Sequence, residues 1–82
     1  MANSLADPAH RAAGLKQTLK AITAGRAARV ILALDADEEI QNAVRDAASQ
    51  SGIPLETAES MRELGKACGI QVKAAAAAVL RD

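Results

Sequence analysis

The 82-residue chain contains no phenylalanine, tyrosine or tryptophan. RNA-recognition motifs and single-strand-binding barrels stack nucleic-acid bases on exposed aromatic rings. That way of binding is therefore excluded here. The hydrophobic core must be built from aliphatic side chains and many alanines. Because alanine buries little area, at roughly 25 cal/mol per Å², we expect modest stability.

Cysteine and histidine each occur once, as Cys68 and His10. A single cysteine forms no disulfide within the chain, and its place at a predicted helix end favours a small buried residue over a reactive thiol. With one histidine, neither a Ser-His-Asp nor a Cys-His catalytic set can be assembled. No phosphate-binding glycine pattern opens a helix after a strand. We therefore expect no enzyme, no cofactor and no metal site.

Long apolar runs are also missing, since no stretch approaches the ~18 residues that a membrane span needs. The first residues lack the pattern of a signal peptide. We expect a cytoplasmic protein with no membrane partner. The length corresponds to one domain, and we predict a flexible polar leader over residues 1–9 followed by a folded domain over residues 10–82.

The net charge is zero, but the charges are segregated along the chain. Between Asp7 and Asp35 all charged residues are basic, whereas acids dominate from Asp35 to Glu63. A basic first third suits a polyanionic partner, although solvated faces explain the pattern equally well. The acids around Asp35 precede an apolar-periodic helix, so we interpret them as helix caps and not as metal ligands or an acid–base pair.

Hydrophobic periodicity predicts alternating helices and strands. In order these are a helix over 15–24, a strand over 29–34 covered on both faces, a helix capped by Asp35-Ala36-Asp37 and ending before Gly52, a strand over 53–57, a helix over 61–67 capped by Ser60, and a segment over 74–80. The alanines of the last segment favour helix by propensity, but the alternation favours a strand, which we predict. The order indicates an α/β fold, a three-layer α/β/α sandwich with a small mixed sheet.

The start of the first predicted helix has an exposed basic face. Lys16 and Lys20 are four residues apart and Gln17 is three from Lys20, so these side chains share a face. Leu15, Leu19 and Ile22 fall on another face, which can point to a core. Together with the free N–H groups of a helix N-terminus, this patch suits an anionic, hydrogen-bonding partner such as nucleic acid.

Three segments together resemble the L-seven-Ae ribosomal-protein family of kink-turn RNA-binding proteins, and in particular its small bacterial members. They are Gly14-Leu15-Lys16-Gln17-Thr18-Leu19-Lys20, Leu32-Ala33-Leu34-Asp35-Ala36-Asp37 and Glu63-Leu64-Gly65-Lys66-Ala67-Cys68-Gly69-Ile70-Gln71-Val72. The resemblance covers roughly residues 10–80, and its third segment is the most specific.

The resemblance implies an α/β/α sandwich that recognises a kink-turn, an RNA helix bent sharply at tandem sheared G·A pairs. A helix element of the family reads the guanine edges, and here the matching positions are Gly14, Lys16, Gln17 and Lys20. An apolar loop of the family packs on an extruded nucleotide, and here the loop is Ile70, Gln71, Val72 and Lys73. Lysine and glutamine side chains can bond to base edges. Archaeal members have Asn and Glu at the positions of Lys16 and Gln17. The bacterial members resemble this sequence at both positions.

The predicted function is therefore recognition and stabilisation of kink-turn RNA by a monomer, as a ribosome-associated protein. Arg29 would alter mainly the salt dependence of binding if it meets a phosphate. An alternative is a protein-interaction module that keeps the fold but has lost specific RNA binding, which the zero net charge and the acidic second helix favour. The two hypotheses differ in whether Lys16, Lys20 and the loop at 70–73 lie on one face.

Overall fold

The computed structural model describes residues 4–81 of the chain. Two short 3-10 turns, Ser4–Ala6 and Pro8–His10, precede four strands and three helices. These are β1 (Arg11–Ala13), α1 (Leu15–Thr23), β2 (Ala27–Ala33), α2 (Glu38–Ser51), β3 (Leu55–Ala58), α3 (Met61–Ala67) and β4 (Ala76–Leu80).

The strands form one mixed sheet in the order β1-β4-β2-β3. β4 is antiparallel to both β1 and β2, whereas β3 runs parallel to β2. β1 is only three residues long, and its sequence Arg11-Ala12-Ala13 contains no β-branched residue. Two hydrophobic clusters cover the two faces of the sheet, so the α/β/α sandwich with a small mixed sheet is confirmed.

Alternation along β2 divides the core between the two faces, because successive strand side chains point to opposite sides. Val30 and Leu32 belong to the first cluster, which includes Ile22 of α1 and Val44 of α2. The second cluster lies on the α3 side of the sheet and comprises Leu5, Ile31, Ala33, Leu64, Cys68, Ala74, Ala77 and Val79. α1 and α2 therefore form one outer layer and α3 the other.

The alanine-rich segment is a strand, as predicted from the alternation of elements. β4 lies between β1 and β2, and Ala76, Ala77 and Ala78 are fully buried. Backbone pairing on both sides and burial on both faces outweigh a helix propensity of less than 1 kcal/mol per residue.

Residues 4–9 are the described part of the predicted leader, and two of them contact the rest of the protein or cap a turn. Leu5 is 7% exposed and packs in the second cluster, and the Arg11 guanidinium donates to its carbonyl oxygen at 3.1 Å. Asp7 caps the turn at Pro8–His10 by accepting from the Ala9 N–H at 3.0 Å. Burial of one leucine and these polar contacts hold residues 4–9 against the domain. Residues 1–3 lie outside the described part.

The acids before α2 differ from the prediction in what they cap. Asp37 occupies the N-cap position of α2, but its side chain makes no capping hydrogen bond. Asp35 instead accepts from the Met61 N–H, the first of α3, at 2.7 Å. The predicted Ser60 cap is confirmed, since its hydroxyl accepts from the Glu63 N–H at 3.1 Å. Asp35 thus ties the end of β2 to the start of α3.

Cys68 is fully buried, as predicted. Burial raises the pKa of its thiol, and the nearby Arg11 guanidinium opposes this shift only in part. A thiol with a raised pKa holds little thiolate at neutral pH and is a poor nucleophile. Within residues 4–81 no group of three or more metal-ligating side chains assembles, and no helix there is long and apolar enough to cross a membrane.

Candidate nucleic-acid interface

Gly14 turns the chain from β1 into α1. Its φ of 98° lies in the region that disfavours residues with a Cβ, although a Cβ there would meet no atom within 4 Å. The backbone conformation, and not a lack of space, therefore requires glycine. Its N–H donates to the Ala76 carbonyl at 2.8 Å, and its carbonyl accepts from the Thr18 N–H at 2.9 Å.

The exposed face of α1 carries the predicted side chains. Lys16, Gln17 and Lys20 are exposed, and Gly14 is half-buried at the helix start. The opposite face packs on the first cluster through Leu15, Leu19 and Ile22. Because the first turn of a helix has no intrahelical acceptors for its N–H groups, this end of α1 also offers backbone donors.

The loop at 70–73 is held between α3 and β4 by backbone contacts. The Ile70 N–H donates to the Gly65 carbonyl at 3.1 Å, and the Ala74 N–H donates to the Met61 carbonyl at 3.0 Å. A Cβ at Gly65 would collide with the Val72 carbonyl oxygen and lie 3.2 Å from its carbon. The loop backbone therefore lies directly on α3, which explains why a glycine follows Leu64.

The four loop residues are not equally available. Ile70 is half-buried and packs on the second cluster. Gln71, Val72 and Lys73 are exposed, and Val72 is 68% exposed. Ile70 thus anchors the loop, while Val72 presents the larger apolar surface to a partner.

The start of α1 and the loop lie at one edge of the sheet. The Gly14–Ala76 hydrogen bond joins the start of α1 to the start of β4, three residues after Lys73. The end of β2 reaches the same edge, since the Ala33 N–H donates to the Ala75 carbonyl at 2.9 Å. Lys16 lies near this edge, and Lys20 lies about 6 Å further along α1 at 1.5 Å per residue. The backbone contacts thus place the start of α1 and the loop at the same edge of the sheet.

Leu34, Arg62 and Lys66 also lie near this edge and were not assigned to the site from the sequence. Leu34 follows β2 and is 49% exposed, so the predicted coverage of residues 29–34 on both faces is wrong at this position. Arg62 and Lys66 line a cleft of about 420 Å³ together with the loop. Their four-residue spacing on a predicted helix was the available signal, because it places both on one face.

Two arginines away from this edge are held by hydrogen bonds within the protein. The Arg29 guanidinium bonds both carboxylate oxygens of Glu56, at 2.8 and 2.7 Å. The Arg11 guanidinium donates to the carbonyls of Leu5 and Cys68, both at 3.1 Å. In contrast, no acidic group among residues 4–81 forms an ion pair with Lys16, Lys20 or Lys73. The ammonium groups of the site therefore remain available for an anionic ligand.

The fold and this edge define a small α/β/α protein. Its first helix carries lysines without ion-pair partners, and an apolar loop lies at the same edge of the sheet as the start of that helix. The profile of the Ribosomal protein L7Ae/L30e/S12e/Gadd45 family matches residues 4–82. The chain belongs to this family. The match includes residues 4–9, in agreement with the packing of Leu5.

Individual relatives resemble the chain over most of its length. An "RNA-binding protein" of Geobacillus thermodenitrificans is 52% identical over 68 residues, which are 83% of each chain. "RNA-binding protein YbxF" of Geobacillus stearothermophilus is 50% identical over 68 residues, again 83% of each chain. A solved structure, the "Giardia lamblia 15.5kD RNA binding protein", superposes with a TM-score of 0.86 at 30% identity and covers 98% of this chain and 70% of its own. A family of ribosomal proteins and relatives named for RNA binding agree with the expectation that the chain is not an enzyme.

Proposed function

We propose that this protein binds RNA, and specifically that it recognises and stabilises kink-turn RNA. The observation that supports the proposal is that the start of α1, next to the exposed Lys16 and Gln17, and the loop at 70–73 lie at the same edge of the sheet. Relatives that share about half of the matched residues are named RNA-binding proteins, which supports the coarser part.

Each part of the proposed site has a separate task. Lys16, Gln17 and Lys20 donate to guanine O6 and N7 in the opened major groove at the G·A pairs. Gly14 allows the helix N-terminus to approach the RNA backbone, where its N–H groups can face phosphate. Val72 packs on an extruded nucleotide by apolar contact, since no aromatic ring is available. Ile70 fixes the loop, and Gln71 and Lys73 border it with polar groups.

Titration of two matched RNAs tests this function. One RNA is a standard kink-turn with tandem G·A pairs, and the other has those pairs replaced by Watson–Crick pairs. Because the replaced RNA offers neither the bend nor the guanine edges, we expect much weaker binding to it in a gel-shift or filter-binding assay. Equal, weak affinity for both RNAs would contradict kink-turn recognition.

Substitutions on α1 test the assignment of its residues. Lys16→Ala and Gln17→Ala should each weaken binding to the kink-turn by about 1–3 kcal/mol, because each removes contacts to base edges. Arg45→Ala is the matched control, since Arg45 is an exposed residue of α2, an element that contributes nothing to the proposed site. The assignment fails if Arg45→Ala weakens binding as much as the α1 variants.

We further propose that the protein acts in the cytoplasm as a monomer and associates with ribosomes. The ribosomal-protein family to which the chain belongs supports this association. Sedimentation of a tagged protein in a sucrose gradient measures it directly, and the expected result is comigration with a ribosomal subunit that is lost after RNase treatment. Sedimentation of the purified protein as a dimer would contradict the monomer.

A further inference from the structure

The cleft between α3 and the loop at 70–73 is a second feature of the basic edge. Arg62 and Lys66 stand one helical turn apart on α3 and form one wall, and the loop residues 70–73 form the other. The cleft measures about 420 Å³, which is within the usual range for a site that holds a small ligand group. The loop carbonyl of Val72 rests on Gly65, so the two walls have a fixed separation.

The charges around this cleft have one sign. Its lining includes Arg62, Lys66 and Lys73 but no acidic residue. None of these three cations takes part in an ion pair among the residues that the structure describes. Three unpaired positive groups around one cleft raise its potential and favour an anion inside it.

The other side of α3 has the opposite charge. Glu63 lines a separate groove on that side together with Glu56 and Glu59. α3 is therefore polarised across its axis, with cations towards the loop and carboxylates towards β3. An anionic chain that runs along the basic edge is attracted to the loop side and repelled from the side of Glu63.

We infer that Arg62 and Lys66 bind a phosphate of the RNA backbone in this cleft, beside the nucleotide that contacts Val72. This inference rests on the proposed function and extends it to α3. The Arg62 guanidinium can donate two parallel hydrogen bonds to phosphate oxygens, and Lys66 adds a point charge one turn away. These contacts carry no base specificity, so they add affinity and fix the position of the strand.

Ethylation interference on the kink-turn RNA tests the inference phosphate by phosphate. Neutral ethyl groups on individual phosphates reduce binding wherever the protein contacts that phosphate. With the unsubstituted protein we expect interference at phosphates near the G·A pairs and at a second group near the extruded nucleotide. In the double variant R62Q/K66Q, interference at the second group alone should disappear.

Affinity measurements give an independent readout. R62Q/K66Q should bind the kink-turn more weakly than the unsubstituted protein does. The slope of log K against log salt should fall by roughly 1, because one phosphate contact is lost. R45Q is the matched control and should change neither quantity. Circular dichroism checks that the exposed substitutions leave the fold intact.

Three results with the RNA overturn the inference. They are unchanged interference at the second group in R62Q/K66Q, a loss of interference spread over all phosphates, or an unchanged salt slope. Binding of uridine 5′-monophosphate to the cleft as tightly as RNA would identify a free-nucleotide site and would also overturn it. Failure of the proposed function is distinct, because the unsubstituted protein would then bind both RNAs equally.

Discussion

Gly65 shows how the absence of a single side chain shapes the candidate site. Within a helix, glycine usually costs about 1 kcal/mol relative to alanine. Here the Val72 carbonyl occupies the place where a Cβ would be. The loop at 70–73 can therefore lie directly on α3, and the cleft beside Arg62 depends on this contact. Glycine is needed at this position for close approach, in contrast to Gly14, which is needed for its positive φ.

Gly65→Ala should lower the free energy of unfolding by about 1–3 kcal/mol, because a backbone carbonyl cannot yield as a flexible side chain can. Helix propensity alone predicts the opposite sign, a gain of about 1 kcal/mol. Urea unfolding followed by circular dichroism measures the difference. The control is Gly25→Ala, where a Cβ has open space and only the positive φ is strained. A Gly65→Ala protein more stable than the wild type would contradict the assignment.

At the scale of elements, the sequence predicts the helices and strands whose bounds are set by hydrophobic periodicity, by glycines and by capping residues. α2 ends at Ser51, before the left-handed Gly52, and α3 spans Met61–Ala67, both as expected. β4 was predicted from its position in the alternation, against the propensity of its alanines. Its central place in the sheet supplies the physical reason, because both neighbours and both faces of β4 are covered.

The parts that were not predicted depend on contacts between distant segments. Leu5 is buried by the second cluster, and nothing in its own polar neighbourhood indicates that contact. Asp35 lies next to α2 in sequence, yet its carboxylate caps α3. Lys16, Gln17 and Lys20 could be grouped from helical spacing. Their assignment to one site with the loop came from the family resemblance and not from any local pattern.

The alanines of β4 allow the layers to approach closely, and this gives a prediction about volume. Ala78 is fully buried and pairs with Val30 in the sheet. Ala78→Leu should destabilise the fold by roughly 1–3 kcal/mol, because added carbons have no space in a packed core. Ala43→Leu makes the same change at an exposed position of α2. It should alter the free energy of unfolding by no more than about 0.5 kcal/mol. Similar urea midpoints for the two variants would show that β4 is loosely packed.

Across the whole molecule, zero net charge conceals a separation of charge in space. Acidic residues lie on α2 and around the groove lined by Glu56, Glu59 and Glu63, where Glu56 also neutralises Arg29. Among the cations without ion-pair partners in residues 4–81, Lys16 and Lys20 lie on α1, and Arg62, Lys66 and Lys73 lie around the loop. Local potential governs the approach of a polyanion, so the net charge is a poor guide to RNA binding.

Two substitutions of the same charge should therefore have different effects on the salt dependence of RNA binding. Lys20→Gln should lower the slope of log K against log salt, because the proposed site places its ammonium group against the RNA with no competing carboxylate. Arg29→Gln should leave the slope unchanged, since its guanidinium is bonded to Glu56 beside the acidic groove. Its effect should be a loss of about 0–1 kcal/mol in stability. Titrations of kink-turn RNA between low and moderate salt measure both slopes. A larger effect for Arg29→Gln than for Lys20→Gln would contradict the proposed site, because it would place the RNA on the side of the acidic groove.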